Sequence, residues 1–129
     1  MQHRKNRSIK KTLKHTLSIP FIYGMGISLI LLHISLEIYH HVAFKLYGLE
    51  LVDIKKYMKI DRYKLSKLTP LQKINCVYCG YANGLLPYAT AISAETEKYW
   101  CGIKHQVEPG SKYIQPAHQN DFLEYVDFK

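Results

Sequence analysis

Between Lys14 and Glu37 the chain runs for 22 residues, HTLSIPFIYGMGISLILLHISL, in which only His15 and His33 can titrate. As a helix this stretch extends about 33 Å, against a hydrocarbon core of roughly 30 Å. A chain of 129 residues that commits so much apolar sequence to one segment has room for one small domain plus an anchor. The strongest apolar run, Ile19 to Leu32, is short enough for a signal-peptide core or an interfacial helix. No small-x-small cleavage pattern follows it, only HISLEIYHHVAF. The sequence therefore predicts an uncleaved anchor helix over 17–40 that crosses the membrane once. A buried core helix of a soluble protein fits less well, because so short a chain offers little to bury it.

Charge sets the surroundings of this segment. Lys and Arg number 18 against 10 Asp and Glu, and residues 1–17 carry Arg4, Lys5, Arg7, Lys10, Lys11 and Lys14 with no acid. Such a block meets anionic lipid head groups or nucleic acid. Beside an apolar span it reads as a head, residues 1–16, on the cytoplasmic side of the inner membrane. Nucleic-acid binding through the head is the second alternative, and no aromatic there supplies a stacking platform. The other flank is also basic, with Lys45, Lys55, Lys56, Lys59, Arg62, Lys64 and Lys67 against Glu50, Asp53 and Asp61. A helix lying in the interface, or re-entering at Pro20, Gly24 and Gly26, would keep both flanks on one face.

The fold class expected is mainly α: the anchor, a small helical Cys/His module over 41–106 and a loosely structured tail over 107–129. Gly48 marks a turn, and Tyr57 to Leu65 fits either a short strand or a short helix. Thr69 followed by Pro70 is an N-cap with proline at the first helical position, so a helix starts there. Asn83-Gly84 and Pro87 predict a break or kink, with a second helical stretch from Tyr88 to Trp100 ending near Gly102. Pro109-Gly110 and Pro116 predict a loose tail with one short helix within Asp121 to Phe128.

All three cysteines lie in C-x2-C-x21-C-x3-H, that is Cys76, Cys79, Cys101 and His105. Tetrahedral zinc sites are built from two such close pairs. On helices each pair presents both ligands from one face, yet a continuous helix would hold Cys79 and Cys101 about 33 Å apart. A turn at Gly84 to Pro87 leaves the pairs offset by about 13 Å; one at Thr90 to Ser93 brings them level, and an antiparallel homodimer of unbroken helices would join them between chains. The other readings are cysteine as small apolar packing and a redox pair with Cys76 as nucleophile, for which the βαβ setting is missing. His33, Glu37, His40 and His41 form a further stripe, a divalent-metal or proton-transfer candidate whose plainer reading is the polar edge where a helix leaves lipid. No Ser-His-Asp nucleophile motif and no glycine-rich phosphate loop is present.

Residues Tyr57, Ile60, Asp61 and Arg62, then Asn75, Cys76, Tyr78, Cys79, Tyr81, Asn83 and Gly84, then Thr96, Glu97, Tyr99, Trp100, Cys101, Ile103, Lys104 and His105, resemble the Y-x-x-I-D-R, N-C-x-Y-C-x-Y-x-N-G and T-E-x-Y-W-C-P-I-K-H patterns of a family of small uncharacterised bacterial proteins. Gly102 stands where that family tends to have proline. The resemblance covers residues 57–105 and implies membership without implying an activity. The function expected is a non-catalytic, membrane-anchored interaction module contacting lipid and an unidentified protein, stabilised by zinc, or failing that an iron–sulfur cluster, at Cys76, Cys79, Cys101 and His105. A membrane-surface thiol oxidoreductase or metal-handling enzyme is the alternative.

Overall fold

A computed structural model describes residues 9–129; Arg4, Lys5 and Arg7 of the basic head fall outside the described residues. The chain is mainly helical. Helix α1 spans Ile9–Tyr47 and helix α2 spans Pro70–Trp100. Both are long enough to be read from sequence, and each starts or stops on a local signal. Thr69 caps α2 with its hydroxyl on the Gln72 amide at 3.3 Å, while the Gln72 side chain returns to the Thr69 amide at 3.1 Å, with Pro70 at the first helical position. Gly48 ends α1 at φ +69, where a side chain would be strained. Gly102 ends α2 at φ +63, and both its amide and that of Cys101 bond to the Glu97 carbonyl. Proline, fixed near φ −65°, could not take this conformation, so glycine at 102 goes with a left-handed cap.

The two helices run parallel. Pairings advance together along both: Ile22 and Tyr23 meet Tyr78, His33 meets Tyr81, Glu37 and His40 meet Tyr88, Tyr39 meets Thr96, and Tyr47 meets Tyr99 and Trp100. Parallel neighbours require a long return. Residues 48–69 supply it as an irregular strap carrying two 3-10 turns, Ile54–Lys56 and Arg62–Lys64; of the strand and short helix considered for Tyr57 to Leu65, it is a short 3-10 helix following Asp61 that forms. The strap runs against α2: Tyr57 lies beside Tyr88, Met58 crosses Gly84 and the Lys59 carbonyl faces Gly80. The core between the layers is Leu29, Leu36 and Phe44 from α1 with Leu85, Tyr88 and Ile92 from α2.

One expectation is corrected. The helix does not break at Gly84 to Pro87, nor turn at Thr90 to Ser93; α2 passes through both. Gly84 is buried under Met58, and a Cβ there would lie 2.8 Å from the Met58 Cα. Leu85 and Tyr88 are locked in the core, so packing holds the backbone helical against its local breakers. The short helix expected within Asp121 to Phe128 is present as the 3-10 helix Tyr125–Phe128. The tail also makes a 3-10 turn at Ala117–Asp121 and a parallel bridge between Ile103 and Leu123, and it is tied to α2 through Glu97.

Candidate functional site

The four proposed metal ligands divide into two separate half-sites. Cys76 and Cys79 lie one turn apart in the first half of α2, Cys76 half-buried and Cys79 exposed, while Cys101 is exposed at the C-cap with His105 beyond it. Unbroken helix between Cys79 and Cys101 holds the pairs about 33 Å apart. One chain does not bring them together.

The residues that surround the cysteines are engaged in packing. Asn75 bonds to Tyr23, the Tyr78 hydroxyl donates to the Ile22 carbonyl, and the Tyr78 ring packs close over Gly26, 3.1 Å from where a Cβ would stand. Tyr81 meets His33 at 2.9 Å, and Gly84 admits Met58. Further along, Thr96 bonds to Tyr39, Tyr99 stacks on Tyr47 with ring centroids 4.4 Å apart, and the Trp100 indole donates to the Tyr47 hydroxyl. Glu97 accepts from Gln119 at 2.9 Å and pairs with His118 at 2.9 Å, and Lys104 pairs with Glu124. The aromatic and polar pattern over 75–105 is thus largely the surface on which α1, the strap and the tail dock.

The stripe of His33, Glu37, His40 and His41 forms a directional network. His40 is 1% exposed, and its Nε2 accepts the strap's Val52 amide at 2.9 Å. Nδ1 therefore carries the ring proton and donates to the Tyr88 hydroxyl at 3.1 Å, which in turn donates to Glu37 at 2.7 Å. Burial moves the His40 pKa below its ordinary value; nearby His41 acts the same way and Glu37 opposes both. Tyr88 is pushed well above the ordinary tyrosine value by burial and by its bond to Glu37. Ligand atoms of Glu37, His40 and His41 lie within 4.8 Å of one another. Coordination of an ion would nevertheless require His40 to shed its Nδ1 proton. His41 Nδ1, 2.9 Å from the Glu37 carbonyl, likewise holds a proton there. As bonded, the cluster locks the strap and α2 onto α1. Sequence reasoning found the α1 half of it and missed Tyr81, Tyr88 and the Val52 amide, which lie on other segments.

A long exposed feature is the side of α1 turned away from α2. Leu13, Leu17, Phe21, Ile27, Leu31, Ile34, Ile38 and Val42 are all exposed, whereas Leu29, Leu36, His40 and Phe44 on the inner side are buried. The helix is long and apolar enough to cross a membrane. Its only acid, Glu37, is turned inward to Tyr88. Comparison with protein-family models, curated proteins and solved structures finds no match.

Proposed function

We propose that this protein is a non-catalytic, membrane-associated interaction module whose α1 is its lipid-contacting element. The observation that carries the reading is the outward face of α1, apolar over nearly its whole length and left uncovered among the described residues. Burying one such Ile or Leu side chain stabilises by about 1.5–3 kcal/mol, so a stripe of eight or so is a strong reason to leave water. Lys10, Lys11 and Lys14 at one end and Lys45 at the other add attraction to anionic head groups, each worth about 1 kcal/mol near the surface. The packing roles of residues 75–105 support reading that pattern as architecture that presents α2 and the strap to a protein partner. Flotation of the purified full chain with anionic vesicles tests the proposal: it should rise with the lipid, and a chain that stays behind, soluble without detergent, overturns it.

A further inference from the structure

Resting on that membrane reading, we infer that α1 lies along the bilayer surface with its outward stripe among the acyl chains, instead of crossing from one side to the other. The first ground is the register of the two helices. Because α1 and α2 are parallel, α2 flanks the most apolar part of α1: Tyr78 sits at Ile22 and Gly26, and Tyr81 at His33. The strap accompanies it. With Lys59 at Gly80 and Tyr63 grouped with Val77, Tyr78 and Tyr81, the exposed side chains of Lys59, Arg62 and Lys64 stand level with residues 22–33 of α1. A crossing helix would carry these cations into the hydrocarbon, at about 2.5–3.5 kcal/mol each or more. It would also take a stretch of irregular, non-helical backbone to membrane depth, where lipid-exposed irregular segments are not accommodated.

The second ground is length. From Leu13 to Leu46 the apolar exposed positions extend about 50 Å along the helix, well beyond a hydrocarbon core of roughly 30 Å. Crossing would leave part of the stripe in water, whereas lying flat buries all of it. Third is charge. The stripe is flanked by lysines and bears no carboxylate, the single acid of α1 being bonded to Tyr88 on the inner side. That complements an anionic lipid surface, which we take as the occupant of this face.

Sealed vesicles of both orientations, prepared from membranes holding the full chain, should be treated with a membrane-impermeant amine reagent and the modified lysines located by mass spectrometry. Lys10 in the head, Lys64 in the strap and Lys129 at the end of the tail report three levels. The expected result is all three labelled together in one orientation and all three protected in the other. Labelling of Lys10 and Lys129 from opposite sides, or protection of Lys64 in both orientations, overturns the in-plane arrangement while leaving membrane association standing. Recovery of the protein in the detergent-free supernatant overturns both.

Discussion

His40 accepts a backbone amide of the strap, and that role requires it to stay neutral. Its pKa is lowered from the ordinary 6.5 by burial first, with Glu37 and His41 on α1, Tyr88 on α2 and Asp53 on the strap as the neighbouring titratable groups. Above 6.5 the ring is neutral in folded and unfolded chains alike, and its contribution to stability is fully present. As the pH falls below 6.5 the unfolded chain takes up a proton that the folded ring refuses, so stability is lost until the lowered folded value is passed. Denaturant titrations from pH 7.5 to 5 should show this loss, with a slope of at most about 1.4 kcal/mol per pH unit from this group. His40→Gln should flatten it, and an unchanged slope in that variant would count against the assignment. Glycine 84 makes a second prediction at this scale. Gly84→Ala forces its new methyl onto the Met58 backbone, at a cost of about 1–3 kcal/mol. Gly24→Ala, with nothing within 4 Å, should be neutral or raise stability by up to about 1 kcal/mol. Thermal melts of the two variants side by side separate close approach from general helix propensity.

Helix α2 keeps Cys76 and Cys79 apart from Cys101 and His105, and the consequence is measurable. An aromatic disulfide reagent added to the native protein should modify Cys79 and Cys101 promptly and half-buried Cys76 more slowly, without prior denaturation. Elemental analysis should find no zinc held by the four residues of a single chain. One zinc per monomer, lost in both Cys76→Ser and Cys101→Ser, would contradict an unbroken α2. Much of this element was legible: Thr69 and Pro70 announced its start, and the uncharged run after Lys14 announced α1. The continuity of α2 was not, because Gly84 and Pro87 are breakers judged locally, and what holds them is Met58 arriving from the strap and a core shared with Leu36 and Phe44. The parallel register was equally hidden, since the strap that permits it has almost no periodic pattern. The α1 side of the histidine network could be read from its helical spacing; its tyrosines are partners only once that register is known.

At the scale of the whole molecule, the two faces of α1 should respond differently to substitution. Ile34→Glu on the exposed face should leave folding within about 0.5 kcal/mol and weaken vesicle binding roughly ten-fold or more, the affinity equivalent of losing one buried Ile side chain. Leu36→Ala on the buried face should cost about 2–5 kcal/mol of stability while the folded fraction binds vesicles as before. Equal effects of both variants on binding would mean that the outward face is not the contact. The parallel register also sets an order of events during synthesis. The hydrogen bonds that close α2 onto α1 join residues 48 to 57 positions apart. At about 5–20 residues added per second, the ribosome takes roughly three to ten seconds to supply the second partner. Through that interval α1 has emerged with its apolar stripe bare and its His33, Glu37 and His40 without the tyrosines that later satisfy them. Under the proposed membrane role, the nascent chain would meet the lipid through α1 first, and the membrane would be the surface on which the rest of the protein assembles.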